Sequence, residues 1–282
     1  MIVTRFAPSP TGLLHLGHAF AALTAARAGE RFLLRIENLD ESRSRTEFVD
    51  AIFEDLRWLG LSWEEPVLRQ STRGAAYHAA LDALERKHLL YPCFCTRKEI
   101  GDEIARAIEA PHTFDLAAPR PGPDGPIYPG TCRHLSDDER TVRIAAGMPY
   151  ALRLDWRKAA DLAGPLTFRE HERIVAVEAG LFGDVVLARK DTPAAYHLAV
   201  VVDDAFQGVS LVTRGNDLFA ATHVQRLLQA LLELSEPGYA HHRLILDASG
   251  KKFSKRDRAV TLRSLREDGV TVEDVRRRIG LT

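Results

Sequence analysis

Val3-Thr4-Arg5-Phe6-Ala7-Pro8-Ser9-Pro10-Thr11-Gly12-Leu13-Leu14-His15-Leu16-Gly17-His18 stands almost at the start of the 282-residue chain. It reads as strand, rigid loop, then helix. Ile2 to Phe6 favours β structure, and Pro8 and Pro10 hold the residues before them extended. From Leu14 a helical pattern takes over through Leu16, Phe20 and Leu23. His15 and His18 are three apart, so they share one face at the helix start, where backbone N–H groups and the dipole favour anions. Gly17 leaves a gap on that face where a flat ring can lie against the backbone. A polyphosphate with an attached base suits all of these features. Two histidines at this spacing are also compatible with a metal site or a half-exposed helix face, but no nearby third ligand completes a metal set.

A second stretch, Gly250-Lys251-Lys252-Phe253-Ser254-Lys255-Arg256, packs four cations into a short loop. Alone it is a solvated charge run. Together, His15-Leu16-Gly17-His18 and Lys252-Phe253-Ser254-Lys255-Arg256 resemble the HIGH and KMSKS motifs of class I aminoacyl-tRNA synthetases. Arg5 to Gly12, Arg35-Ile36-Glu37-Asn38-Leu39-Asp40 and Arg214-Gly215-Asn216-Asp217 resemble segments of the glutamyl and glutaminyl branch, in which the position of Asn38 is usually Asp. The resemblance implies an α/β fold, with a Rossmann-type parallel-sheet catalytic domain, an inserted zinc and acceptor-binding subdomain and a short helical C-terminal region. It implies His15, His18 and Lys255 as catalytic groups. It assigns ATP to His15, Gly17, His18, Lys252, Ser254 and Lys255, and L-glutamate to Arg5, Phe6, Ala7, Pro8, Ser9, Glu37, Tyr196 and Arg214. Which arginine takes the side-chain carboxylate stays open.

Composition agrees with a globular protein: 45% hydrophobic and 27% charged residues. No apolar run approaches the ~20 residues that span a bilayer, and no basic-then-apolar leader precedes the first strand, so a cytoplasmic protein without membrane contact is expected. The net charge of −1 is unevenly spread. Residues 243–282 hold 11 Lys+Arg against 6 Asp+Glu, a basic end on an acidic body. That fits local phosphate contact, or a solvated helical tail.

Strands are expected at 31–37, 67–69, 151–154, 184–190, 198–203 and 209–213, with helices at 15–28, from Phe48 to a stop at Gly60, from Ser71 past Leu84, and at 217–234. Asp40-Glu41-Ser42 is read as a capping loop. Leu198 to Val202 is continuously apolar, as in a central strand buried on both faces. Ligands of such sheets bind beyond the carboxyl ends of the strands, where Arg5 to Ser9, Glu37 and Arg214 fall. The domain reading is 1–90 and 184–242 for two halves of the catalytic domain, 91–183 for the insertion, and 243–282 for the lysine loop and a short helical end.

Residues 91–134 break the pattern. A helical stretch, 96–109, runs into a segment rich in Pro and Gly that cannot pack a core. Cys93-Phe94-Cys95 lies before it and Tyr128-Pro129-Gly130-Thr131-Cys132 after it. Three thiolates together make most of a tetrahedral zinc site, with His134, His112 or Tyr128 as fourth ligand. They also read as ordinary buried cysteines in a reducing compartment. Cys-x-Cys with Tyr-x-x-x-Cys resembles the zinc site of the short paralogues of glutamyl-tRNA synthetase, which implies Cys93, Cys95, Tyr128 and Cys132 as ligands of one structural zinc.

The implied chemistry is formation of glutamyl adenylate from L-glutamate and ATP with its Mg²⁺, without need of tRNA. Transfer to queuosine in the anticodon arm of tRNA(Asp) follows by the same resemblance, and a monomer is expected. A full glutamyl-tRNA synthetase carries a further helical region that reads the anticodon; none is expected here. The alternatives are a truncated synthetase charging a tRNA 3′ end, a nucleotidyltransferase of the same fold that needs no RNA, and a non-catalytic RNA-binding module.

Overall fold

A computed structural model describes residues 1–109, 121–189, 192–246 and 260–281. The first unit is β1 (Val3–Phe6), α1 (Leu16–Ala28), β2 (Arg31–Ile36), α2 (Thr46–Trp58) and β3 (Leu68–Arg69). β1 and β2 pair in parallel from Val3↔Arg31 to Phe6↔Leu34, and β2 pairs in parallel with β3. Gly60, with φ of +78°, ends the α2 region as the sequence suggests. The capping expectation fails. The N-cap of α2 is Arg45, with no side-chain cap, while Asp40 is taken up by Ser42 and Arg43 within the loop.

The chain continues through α3 (Gly74–Arg86), β4 (Leu90–Cys93), α4 (Arg97–Glu109), β5 (Pro121–Gly122), β6 (Gly125–Pro126), α5 (Asp137–Ala145), β7 (Ala151–Leu154) and α6 (Trp156–Ala163). Next come β8 (Thr167–Glu170), β9 (Arg173–Ala176) and β10 (Val186–Arg189). β4, β7 and β10 form an antiparallel sheet in the order β10-β7-β4. Then follow α7 (Tyr196–Phe206), β11 (Leu211–Gly215), α8 (Ala221–Leu231), β12 (Gly238–His242), α9 (Leu262–Glu267) and α10 (Val272–Ile279). β11, β12 and β8 run parallel, and β9 closes that sheet as an antiparallel edge. The Ser210 N–H donates to Val3 O at 3.0 Å and the Val3 N–H to Ser210 Oγ at 2.9 Å, which sets the head of β11 beside β1. Pairing cuts across the boundary read at 183/184. β8 and β9 join the parallel sheet, and β10 joins the antiparallel one.

One expected strand is a helix. Leu198 to Asp203 lies within α7. Its β-branched run favours extended structure by propensity, but tertiary packing overrides it. Leu198, Ala199, Val200 and Val201 are all buried, in one core with Leu81 and Leu84 of α3 and Val224, Leu227 and Leu228 of α8. A helix that is apolar nearly all round is a buried helix. The helix expected over 217–234 is shorter: a 3₁₀ turn at Asn216–Leu218 precedes α8.

α9 and α10 complete the first core. Leu262, Leu265, Val275 and Ile279 are buried with Leu14, Leu23, Ile52 and Leu56. Each helix starts with a capping box, from Thr261 and Thr271 respectively. Several arginines of the basic end have local partners. Arg266 reaches Glu54 at 3.1 Å, and Arg277 reaches Asp274 at 3.0 Å.

The two halves of the molecule are joined by buried ions. Asp204 of α7 accepts from Arg5 Nε at 2.9 Å and from Arg35 Nη1 at 2.8 Å. Neighbouring Asp203 accepts from Tyr77 at 2.8 Å, Gln70 at 3.0 Å and Arg73 at 3.2 Å. Burial alone would raise the Asp204 carboxyl, but Arg5 and then Arg35 more than offset it and hold it below the usual range. Removing one member of such a group leaves the others charged and dry. Asp204→Asn is therefore expected to cost about 3–5 kcal/mol in urea unfolding; a midpoint like that of the native chain would show that the cluster is hydrated.

Asp55 of α2 is the opposite case. It is buried with both carboxylate oxygens lacking hydrogen bonds, and Arg266 stays 3.8 Å away. Burial outweighs the attraction of Arg266 and Arg263 and pushes its pKa up to about 6. An unfolded Asp titrates near about 3.9. The fold thus carries the cost of the ionised group above about pH 6 and loses that cost as pH falls toward 4. Asp55→Asn should raise the thermal midpoint at pH 8 and give no gain at pH 4; a gain independent of pH would contradict this assignment.

Candidate active site

Two clefts open at the carboxyl ends of the parallel strands. One, of ≈ 200 Å³, is lined by His15, Gly17 and His18 of the first motif and by Gly215, Asp217 and residues 242–245. His15 is itself the N-cap of α1, with φ of −131°. Its Nδ1 accepts the Gly17 N–H at 3.1 Å, and His18 Nδ1 accepts the His15 N–H at 3.2 Å. Two histidines thus build the reciprocal cap that Ser and Glu usually provide. With Nδ1 used as acceptor, each neutral ring carries its proton on Nε2, as a donor that a phosphate oxygen can take. Their centroids are 3.8 Å apart.

A Cβ at Gly215 would press on Asp217 Oδ1 and Leu244 Cδ2, so a larger residue there would have to displace those side chains. Lys252, Ser254 and Lys255, like His112, lie outside the described residues. The described flank that follows the lysine stretch is fixed to the same helix start: Thr261 bridges to His15, and the Leu262 N–H donates to Leu14 O at 2.8 Å.

The second cleft, of ≈ 350 Å³, is lined by Ser9, Thr11, Glu37, Asp40, Arg43, Gln70, Arg189, Thr192 and Tyr196 among others. Ser9, Glu37 and Tyr196 are thus brought together as the sequence suggests, although Tyr196 begins a helix and not a strand. Phe6 belongs to the core, and Pro8 O accepts the Glu37 N–H at 3.0 Å, which ties the rigid loop to the end of β2. Ala7 is partly exposed between them. Burial raises the Glu37 pKa above the usual range, with Arg35 and Arg5 pulling the other way. Asn38 is engaged on both sides of its amide, donating to Ser71 Oγ at 2.8 Å and accepting the Ser71 N–H at 3.0 Å.

The two candidate arginines are in different states. Arg5 is neutralised by Asp204, and its Nη1 donates to Thr213 O at 3.3 Å. Arg214 is 6% exposed, and its three nitrogens reach His241 Nε2 at 3.0 Å, Gln225 Oε1 at 2.7 Å and Thr222 Oγ1 at 2.7 Å. All three partners are uncharged as placed. His197, next to Tyr196, has its pKa lowered to about 4 by burial first and the Arg214 charge second. Sequence reading missed Asp203, Asp204, Arg35 and Gln70. The spacing of Tyr196, Ala199, Val200, Asp203 and Asp204 is helical and could have shown that the aspartates share the buried face.

The three cysteines converge. Their sulfurs lie within 4.8 Å of one another. Cys95 and Cys132 Sγ are 3.3 Å apart, and the Tyr128 hydroxyl is 3.4 Å from Cys93 Sγ and 3.7 Å from Cys95 Sγ. His134 is exposed. Hydrogen bonding from Cys93 pulls the Cys132 thiol down to about 6, while the same contact and burial push Cys93 up to about 12. One sulfur is thus stabilised as thiolate by its neighbours, and Arg153 lies 3.9 Å over the Tyr128 ring. Soft sulfur donors with a phenol oxygen could hold a metal ion.

Among the described residues no helix is long and apolar enough to cross a membrane. The family model described as "tRNA synthetases class I (E and Q), catalytic domain" matches residues 1–282. A protein of Rhodobacter capsulatus named glutamyl-Q tRNA(Asp) synthetase is 47% identical over 99% of this chain and 100% of its own length. One of Nocardia farcinica with the same name is 45% identical, over 96% and 81%. The glutamate-tRNA synthetase structure from Elizabethkingia anophelis superposes with a TM-score of 0.72 at 27% identity; it covers 91% of this chain, which spans only 53% of that one.

Proposed function

Because the chain belongs to the family of class I glutamyl- and glutaminyl-tRNA synthetase catalytic domains, we propose that this ATP-dependent ligase activates L-glutamate without tRNA and then transfers it to the queuosine base at the wobble position of tRNA(Asp). The amino-acid assignment is supported by a partly exposed Glu37 that lines the second cleft and by a deeply buried Arg214, outside the lining of that cleft, held by uncharged groups. An α-ammonium suits the first and a carboxylate the second. The acceptor assignment is supported by relatives named glutamyl-Q tRNA(Asp) synthetase that match along nearly the whole chain.

In the first step a carboxylate oxygen of glutamate attacks the α-phosphorus of ATP, taken with its Mg²⁺. The new P–O bond forms as the bond to the β-phosphate oxygen breaks, and pyrophosphate leaves. The nucleophile is already ionised, so catalysis is positioning plus stabilisation of charge. His15 and His18 hold phosphate oxygens through their Nε2–H groups. Lys255, with Lys252 and Ser254, meets the leaving pyrophosphate. Ser9, Glu37, Tyr196 and Arg214 hold the amino acid, while Arg5 aligns the cleft through Asp204. In the second step a hydroxyl of the acceptor attacks the acyl carbon, and AMP departs.

The test is incubation with labelled glutamate, ATP and three RNAs: queuosine-bearing tRNA(Asp), the same tRNA lacking queuosine, and queuosine-bearing tRNA without its 3′-terminal adenosine. The first and third are expected to be labelled and the second not. Labelling of the second but not the third would make this a synthetase that charges a 3′ end. Glutamate-dependent ATP–pyrophosphate exchange should proceed with no RNA present.

Zinc is proposed at Cys93, Cys95, Cys132 and Tyr128, where it would close a subdomain with little core of its own. The exposed His134 is not favoured as the fourth ligand. Metal analysis should find one zinc per chain, and Cys132→Ser should lose it, lower the thermal midpoint and spare pyrophosphate exchange. A metal-free protein with three freely titrating thiols would remove the assignment.

A further inference from the structure

Arg214, His241 and Glu170 stand on three adjacent parallel strands, β11, β12 and β8. Arg214 and His241 are direct partners in the β11–β12 register, and Glu170 pairs with Tyr239 two residues before His241. Their side chains form a line across the sheet. Arg214 Nε donates to His241 Nε2 at 3.0 Å. On the other side of the ring, His241 Nδ1 lies 2.7 Å from Glu170 Oε2, and the His241 backbone N–H donates to Glu170 Oε1 at 2.9 Å. The His241 and Glu170 side chains are 1% and 4% exposed.

The line fixes the tautomer. Arg Nε is only a donor, so His241 Nε2 must be bare, and the ring proton must sit on Nδ1, facing a carboxylate that can only accept. The direction of every hydrogen bond from Glu170 to Arg214 is thereby set. Thr222 Oγ1, 3.4 Å from His241 Nε2, and the edge of the Phe219 ring complete the surroundings. The half-exposed His171 also approaches Glu170, at 3.4 Å.

We infer that Glu170 and His241 form a positioning relay that aims the Arg214 guanidinium at the amino-acid carboxylate and supplies its counter-charge from a distance. This rests on the glutamate reading above. A buried cation needs compensation, but a carboxylate placed directly on Arg214 would occupy the donors that the substrate needs. Glu170 stands one ring away. It stabilises the cation through the polarised imidazole, while the direct partners of the guanidinium are all uncharged. Gln225 and Thr222 hold the two terminal nitrogens, so rotation of the guanidinium is blocked at three points. None of these groups was singled out from the sequence beyond Arg214 itself.

The relay is tested in the full-length protein with three variants. His241→Phe keeps the ring's shape and removes both hydrogen bonds. His241→Gln restores an amide oxygen that Arg214 Nε can use. Glu170→Gln leaves one acceptor oxygen for the two N–H groups of His241. In pyrophosphate exchange, His241→Phe and Glu170→Gln should raise the glutamate KM about tenfold to a hundredfold, the range for loss of a hydrogen bond to a charged group. The ATP KM should stay within twofold, and His241→Gln should recover most of the loss. Ring ¹⁵N spectra, which need no activity, should show the wild-type His241 proton on Nδ1. A proton on Nε2, or ATP and glutamate KM values that rise together in every variant, would overturn the relay. If the wild type activates no glutamate, the proposed function falls, while the ring spectrum still decides the hydrogen-bond direction.

Discussion

A buried carboxylate, Asp204, ties the first strands of the chain to a helix far along it. It draws Arg5 from β1 and Arg35 from β2 onto α7, 199 and 169 residues later in sequence. Ion pairs of this kind are costly to bury and are weak evidence of net stability. Their value lies in geometry. Arg5 and Arg35 have to be extended inward for the pair to form, so β1 and β2 are held against α7, and Arg5 also reaches Thr213 of β11. Asp203, one residue earlier, does the same for Gln70, Arg73 and Tyr77. Gln70, held by Asp203, also lines the second cleft.

A second constraint acts at the helix start. His15 and His18 each use Nδ1 to accept a backbone N–H group at the start of α1. The cap fixes the orientation of each ring, so capping is compatible with the phosphate contact proposed for these residues. The bridge from Thr261 to His15 adds the described flank of the lysine stretch to the same point.

Much of this was legible in the sequence because the signals were local. Strand, Pro-rich loop and helix follow from Ile2, Pro8, Pro10 and the apolar spacing after Leu14. Cys93, Cys95, Tyr128 and Cys132 flank a stretch that cannot fold by burial, and they do converge. What was not legible depends on partners far away in sequence. Val200-Val201-Val202 favours a strand by itself, and only burial among α3 and α8 makes it helical. The aspartates that follow it were passed over because a strand reading put them on opposite faces. Nothing local shows that Arg5 is paired with Asp204. The sheet partners of β8 and β10 are likewise long-range choices that composition does not reveal.

The unequal state of the two arginines bears on specificity. Arg5 and Arg35 face Asp204 and Glu37, two cations against two carboxylates, so an ionised Glu37 makes that group neutral. Arg214 adds one positive charge whose counter-ion, Glu170, is a ring away. Glutamate carries one net negative charge and brings a carboxylate that can meet Arg214. Glutamine is neutral overall and would leave the guanidinium facing an amide. A site that must bury a charge penalises the ligand that fails to match it, because the unpaired group pays its desolvation in full. Under the proposed function, Arg214 is thus the group through which glutamate would be told from glutamine, because its hydrogen-bond partners are all uncharged.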